Sequence, residues 1–305
     1  MTAESFIKEL KLLIDSKPNP PVRISNSEDS QGDYIYHSKN LLNCFDCANC
    51  TNSLYLYDSY MCANSVDCDY AVESELCYES VDPFKCFNCE YLENCSQMTD
   101  SSYSYACTNC HDVFGSVNLK NKSFCIFNRQ LTEAKYKERA KQFKSLPSEK
   151  VLKMLDQLKE LYPWTQTNEE NNENSAYGNY IYHNKNCYLC FDASHNENCG
   201  YLYDSFYNTA CYDLTYSSHT ELSCEAVDSD KLFNCNFAVY SSSCLDSSYI
   251  FNCFDVKNSL GCVGLSHKQY CILNRQLSKE EYEKTSRLIL NDIKSKNLGW
   301  SNLSF

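Results

Sequence analysis

The groups with the most chemical reach in this chain are its thiols. Its 305 residues include 22 Cys, with 25 Tyr and 6 His beside them. Cys44-x-x-Cys47-x-x-Cys50, Cys86-x-x-Cys89, Cys107-x-x-Cys110 and Cys187-x-x-Cys190 have the spacing that sets two thiolates on one tetrahedral ion, as in zinc or iron–sulfur centres. Cys44, Cys47, Cys50, Cys86, Cys89, Cys107 and Cys110 are the candidate metal ligands. His37 and His183 stand seven residues before Cys44 and Cys190, the raw material of a Cys/His nucleophile pair. Tyr34-x-Tyr36, Tyr55-x-Tyr57, Tyr180-x-Tyr182 and Tyr201-x-Tyr203 offer large rigid rings with a hydroxyl, suited to a protein interface or to stacking on a sugar. No GxSxG, P-loop, GxGxxG or HExxH pattern is present.

The chain carries its own control, because it is a tandem duplication. Gly32-Asp33-Tyr34-Ile35-Tyr36-His37 returns as Gly178-Asn179-Tyr180-Ile181-Tyr182-His183, and Asn128-Arg129-Gln130-Leu131 returns as Asn274-Arg275-Gln276-Leu277. The offset of 146 holds without a gap from Gly32 to Glu138. About 44 of roughly 107 pairs are identical, which chance does not produce. Cys47 is matched by Ala193, Cys50 by Asn196, Cys86 by Leu232 and Cys110 by Val256, so every CxxC of the first copy loses a member in the second. A closed four-ligand site does not survive such losses, whereas a small buried filler does. The thiols therefore read first as core, with a structural metal in one copy as the alternative. The chain's first residues lack the basic and apolar regions of a secretory signal, so the expected location is cytoplasmic, where thiols stay reduced.

A shorter period lies inside each copy. Stepping by nine from Cys44 and from Cys190 meets Cys at 12 of 20 positions, and small residues at nearly all the rest. Asp or Asn often follows two residues later, as at Asp46, Asn64, Asp192 and Asp246, which suggests turns. Aromatics precede by two, as at Tyr60, Tyr78, Phe87, Tyr105, Tyr188, Phe206, Phe233 and Phe251. Alternation along a strand would point each such ring and its thiol into one core. The expected fold is mainly β: two tandem β-solenoid rods of roughly nine-residue strand–turn units, two units per coil, flanked and capped by α-helices. Five coils per copy would make a rod of about 24 Å.

Helical patterns punctuate the rods. Phe6, Leu10, Leu13 and Ile14 predict a helix over 3–16, ended by Pro18, Pro20 and Pro21. Leu152, Leu155, Leu158 and Leu161 predict another over 149–162, and helices are expected after Thr132 and after Ser278, the latter with capping-box spacing to Glu281. The domain reading is 1–31 N-terminal helix and linker, 32–131 first copy, 132–177 helical connector and polar linker from Trp164 to Tyr177, 178–277 second copy, and 278–305 C-terminal capping helix. Capping helices would cover the open strand edges of each rod.

The end of each copy resembles a known pattern. Gly261-Cys262-Val263-Gly264-Leu265, Lys268, Tyr270-Cys271-Ile272-Leu273-Asn274-Arg275-Gln276 and Glu280-Glu281-Tyr282 resemble the Cys-rich repeat proteins of candidate-phyla bacteria. Arg129 and Arg275 stand where that pattern has Lys, and the first copy has Ser116 where its Cys would be. The resemblance implies a solenoid and a bacterial origin, and no reaction.

Net charge is −13, and no apolar run is long enough for a membrane helix, which argues against nucleic-acid phosphates and membranes as partners. Residues 32–117 hold 13 acidic and two basic residues, while 118–160 hold five and 11, so the rods are acidic and the connector basic. The sequence therefore reads as a non-enzymatic repeat scaffold or protein-binding module with two similar acidic, Tyr-rich surfaces and no cofactor. Its partner is an unidentified protein, with self-association as one form. The alternatives are a thiol-rich zinc- or iron-binding protein and a carbohydrate-binding solenoid. The candidate surface residues are Tyr34, Tyr36, His37, Tyr55, Tyr57, Tyr180, Tyr182, His183, Tyr201 and Tyr203.

Overall fold

A computed structural model describes residues 1–17, 23–82, 85–163 and 167–298. Pro18, Pro20, Pro21 and Trp164, on which two of the expected boundaries rest, lie outside those residues. The chain is mainly β, with one sheet of 12 strands and one of 11, each parallel apart from its last strand. Among the described residues four helices accompany them: α1 (Ala3–Asp15), α2 (Glu133–Lys144), α3 (Ser148–Leu161) and α4 (Lys279–Ser295). Two compact units result, one of residues 20–165 and one of 1–19 with 166–305.

A three-residue conformational cycle generates the sheets. In the stretch 47–58, Cys47, Cys50, Ser53 and Leu56 are buried. Asn49, Asn52, Tyr55 and Asp58, each two residues further on, have φ of 58°, 50°, 55° and 45°. Each left-handed residue bends the chain, and four bends close a coil of twelve. The parallel register shows the coil directly: Leu41 pairs with Ser53, Phe45 with Tyr57, and Tyr57 with Asp69. L-residues pay for this conformation, and Asn and Asp tolerate it best, which is why they fill many of the left-handed positions, with Tyr, Leu, Glu and others at the rest. The expected turn residues are therefore left-handed bends rather than turns between nine-residue strands.

The coil is twelve residues, not the two nine-residue units expected. Strands from Glu28 to Ile126 make about eight coils rather than five, or roughly 38 Å at the spacing of neighbouring strands. The aromatics two residues before each thiol do not share its core. Tyr60, Phe87 and Tyr188 are exposed while Cys62, Cys89 and Cys190 are buried. The left-handed residue between ring and thiol breaks strand alternation and returns the next side chain inward. The linkers read from composition are also partly coil: Ile24–Ser25 and Glu28–Tyr36 are strands, as is Glu169–Glu170.

Hydrogen bonding explains the composition of the core. The inward side chain accepts from the backbone N–H of the inward residue twelve later, as in Cys62 N–H to Cys50 Sγ (3.4 Å) and Ser65 N–H to Ser53 Oγ (3.1 Å). Thiols also donate to the carbonyl nine residues on: Cys44 to Ser53, Cys50 to Ser59 and Cys62 to Ala71. The nine-residue Cys rhythm is thus the diagonal step to the next coil. In the second copy an asparagine ladder fills the same role. Asn208 N–H donates to Asn196 Oδ1 and Asn196 N–H to Asn184 Oδ1, each at 2.9 Å, while the Asn196 amide donates to the Ser205 carbonyl at 2.9 Å. Asn172, from the segment read as a linker, begins that ladder by accepting from Asn184 N–H.

Glycine opens and a hairpin closes each copy. Gly32 and Gly178 occupy inward positions where a Cβ would lie 1.7 Å from the Cys44 oxygen and 2.3 Å from the Cys190 oxygen. At the other end the chain reverses through Phe127 and Asn128, or Leu273 and Asn274, both left-handed, as a two-residue hairpin requires. Asn128 Oδ1 accepts from Val117 N–H and Asn274 Oδ1 from Val263 N–H, each at 2.8 Å, so the repeated Asn-Arg-Gln pins the hairpin on the last coil. α2 and α3 then pack over Tyr103, Phe114 and Ile126, and α4 packs with α1 over Tyr249, Leu260 and Ile272. Ser278 and Glu281 form the expected capping box, whereas Thr132 makes no side-chain cap.

The ladder gives a stability prediction. Asn196→Ala removes the acceptor of a buried N–H together with two donated bonds, and should lower unfolding free energy by roughly 2–4 kcal/mol. Asn196→Cys, which restores the first-copy residue, should cost less than half as much. Urea unfolding followed by circular dichroism checks the order, and equal losses for both substitutions would remove the ladder from the account.

Candidate functional site

Each triplet of the coil turns one side chain in and two out, so each copy presents four outward sides. The side bearing Tyr57 and Asp58 is the one the two copies share most fully. Its successive pairs are Phe45/Asp46, Tyr57/Asp58, Asp69/Tyr70 and Val81/Asp82 in the first copy, and Phe191/Asp192, Tyr203/Asp204, Thr215/Tyr216 and Val227/Asp228 in the second. Within these four coils only Asp69 and Thr215 differ, whereas further along Glu93 and Asn94 are matched by Val239 and Tyr240. The rings are well exposed, Phe45 at 47%, Tyr57 at 41%, Phe191 at 41% and Tyr203 at 40%. Their geometry repeats too: Tyr57 meets Tyr70 edge-on at 6.4 Å, and Tyr203 meets Tyr216 edge-on at 5.8 Å. One Asp69 carboxylate oxygen is buried and lacks a hydrogen-bond partner, and burial with the nearby Asp82 charge raises its pKa above the usual carboxylate value.

The ten surface residues expected from sequence fall on three sides. Tyr34, Tyr57, Tyr180 and Tyr203 lie on the aromatic–aspartate side. Tyr36 and His37, with Tyr182 and His183, lie on the next. Tyr55 and Tyr201 lie on the side that the helices cover further along. Members of a Tyr-x-Tyr pair therefore face adjacent sides, because the residue between them points inward. Tyr34 and Tyr180 are half-buried, and the Arg23 guanidinium lies 4.4 Å from the Tyr34 ring centre.

One feature escaped the sequence reading. The rings of His183, His195, Tyr207 and His219 form an exposed stack, with successive centres 4.9, 4.7 and 5.2 Å apart. His267 stands further along the same column and pairs with Asp255 at 2.9 Å. The twelve-residue spacing was the available signal, masked by the nine-residue rhythm. The first copy has Asn49, Met61 and Glu73 at the positions of His195, Tyr207 and His219, so the stack belongs to the second copy alone. His37 and His183 are outward while Cys44 and Cys190 are buried, so neither histidine faces its thiol.

All cysteines except Cys224, which is half-buried, are buried, and none is in a disulfide. Cys44, Cys47 and Cys50 occupy consecutive inward positions, as do Cys86 with Cys89, Cys107 with Cys110 and Cys187 with Cys190. The Sγ atoms of Cys47, Cys107 and Cys110 lie within donating distance of the carbonyls of Leu56, Ser116 and Leu119, at 3.7, 3.6 and 3.6 Å. A metal takes a thiolate rather than a donating thiol, and hydrogen bonds from neighbouring thiols hold Cys44, Cys50, Cys89 and Cys107 below the ordinary thiol pKa. Among the described residues, no group of three or more His, Cys, Asp or Glu is arranged to hold a metal ion. Burial pushes the Cys235 thiol up to about 11 and the Cys244 and Cys262 thiols up to about 12.

Neither a family model nor a curated protein matches the sequence. Solved structures align with it only weakly. One is named for an acetyltransferase of Desulfovibrio desulfuricans G20, at 11% identity over 86% of this chain and 75% of that one, with a TM-score of 0.14. A second is named for an acetyltransferase of Bacillus cereus, at 10% identity over 43% and 91%, with a TM-score of 0.14. The third, a UDP-N-acetylglucosamine acyltransferase from Campylobacter jejuni, has 8% identity over 92% and 91%, and a TM-score of 0.13. Such TM-scores carry no argument about activity. Among the described residues, no helix is long and apolar enough to cross a membrane.

The thiols give a pH prediction. The folded pKa values of Cys235, Cys244 and Cys262 lie above the unfolded value of about 8.5, so the contribution of these three thiols to stability is full below that pH. It is lost as pH rises through about 11 to 12. Urea midpoints should fall steeply between pH 9 and 11 and stay flat from 7 to 8. Most thiols should react with a disulfide reagent only in denaturant; rapid reaction of the majority in the native chain would place them outside the core.

Proposed function

We propose that the chain is a non-enzymatic scaffold of two β-solenoids whose aromatic–aspartate sides bind a basic, extended protein segment. The observation that supports this most is that four successive coils of that side keep seven of eight residues between the copies, setting exposed rings beside carboxylates. Buried residues are held by packing, but Phe45, Tyr57 and their counterparts are exposed, so packing alone gives no reason to keep them. Rings beside carboxylates suit Arg and Lys: the ring face attracts the cation and the carboxylate pairs with it. Coils repeat at about 4.8 Å, so the side presents a ladder that an extended chain can follow. Two copies in one chain allow bivalent engagement, which multiplies affinity without new contacts. A net charge of −13 adds long-range attraction for such a partner.

The test compares two full-length variants of equal charge. One replaces Phe45, Tyr57, Phe191 and Tyr203 by Ser; the other replaces by Ser four exposed residues that differ between the copies, Tyr60, Met61, Tyr207 and Tyr212. Calorimetric titration with a ten-residue Arg/Lys peptide should show the first variant weakened at least tenfold and the second unchanged. Equal weakening of both, or of neither, would reduce the binding to bulk charge and remove the side from the account.

A further inference from the structure

The first helix does not sit on the copy that follows it in sequence. Phe6 and Leu10 of α1 are fully buried against the second copy, in one cluster with Tyr249, Leu260, Ile272, Tyr282 and Ile289. The first copy has an equivalent seat, offset by 146: Tyr103, Phe114, Ile126, Tyr136 and Phe143. There α3 fills it, burying Val151 and Leu155. Aligning the helices on their N-caps, Thr2 and Pro147, puts Phe6 opposite Val151 and Leu10 opposite Leu155. α1 and α3 are thus equivalent helices, and each seat takes a helix from the other repeat unit.

The two seats differ in a compensating way. In the first, the Phe127 ring fills the space above Gly115, where a Cβ would come within 2.6 Å of it. In the second, residue 273 is the smaller Leu, and the Phe6 ring fills the space above Gly261, where a Cβ would come within 2.5 Å. A large helix residue meets a small seat residue, and the reverse. The second seat also reads polar groups at the start of α1: Ala3 N–H donates to Asp292 at 2.6 Å, and Lys296 pairs with Glu4 at 2.9 Å. It is built for α1, and the α1 of any other copy is identical.

We infer that this seat is a self-association surface, through which α1 of one chain docks on the second copy of another. The contacts in trans are those made in cis, so the two differ only in effective concentration. The contact joins different surfaces of the two partners, so it propagates head to tail into open chains or closes into rings. This inference does not rest on the proposed binding of basic segments, because it uses a different side of the coil.

Two full-length variants test it. Phe6→Asp spoils the helix and leaves the seat; Ile289→Asp spoils the seat and leaves the helix. Each alone should be monomeric by light scattering, and their mixture should give a 1:1 dimer, while the parent chain should gain mass with concentration. Because Ile289→Asp can disturb α4, a labelled peptide of residues 1–16 gives a second reading. It should bind the Phe6→Asp chain at one site, and the parent chain, filled in cis, at least tenfold more weakly. The same peptide carrying Phe6→Asp should not bind. A parent chain that stays monomeric as its concentration rises, the lack of a heterodimer between folded variants, or equal binding of peptide to both chains overturns the inference.

Discussion

A coil of twelve residues with four inward side chains encloses very little space, and most other features follow from that. The four bends that close the coil need left-handed residues, and the narrow interior needs small ones. Leu56 or Leu92 fits at intervals, but a Leu/Ile/Val core like that of a larger sheet does not. The inward N–H groups also look for acceptors along the axis. Cys, Ser and Asn are small, and they accept from the coil above and donate to the carbonyl nine residues on. The high thiol count is therefore a packing and hydrogen-bonding solution, and the same positions hold Asn184, Asn196 and Asn208 in the second copy without change of fold.

The outward residues inherit a regular lattice. Two of every three side chains face out, in columns spaced by the strand repeat, so a single residue type recurring every twelve becomes a continuous strip. The asparagine column shows this in its simplest form, Asn40 to Asn52 and Asn174 to Asn186 to Asn198 being joined side chain to side chain. The His183–His219 stack and the aromatic–aspartate side are chemically richer uses of the same lattice. Where the strips run under helices, they turn apolar instead, as at Tyr103 and Phe114 or Tyr249 and Leu260. One coil geometry thus supplies core, exposed strip and helix seat by residue choice alone.

The surface candidates illustrate how much of the site was legible. Tyr57 and Tyr203 stood out because they recur between copies, and they lie on the side that the copies share. Asp46 and Asp192 on the same side read only as turn residues, because a left-handed bend and a turn ask for the same side chains, and Asp58 and Asp204 drew no reading of their own. Phe45 and Phe191 went unremarked, since nothing in a linear sequence says which neighbours one coil away will join them. His195 and His219 looked unrelated for the same reason.

The sequence by itself determined the duplication, the helices and the burial of the thiols. Those rest on local patterns: the 146-residue offset, the apolar stripe of Phe6 and Leu10, the Ser278–Glu281 box, and the replacement of Cys by Ala, Leu or Val. Tertiary structure alone decided the length of the coil. Nine and twelve are both multiples of the three-residue cycle, and only the pairing of Leu41 with Ser53 tells a diagonal step from a full turn. It also decided that polar stretches rich in Asn are core, because a buried amide is stable only once the next coil satisfies it. And it placed α1 on the second copy, since the fit of Phe6 against Leu273 and Gly261 is a property of packed surfaces that no spacing along the chain records.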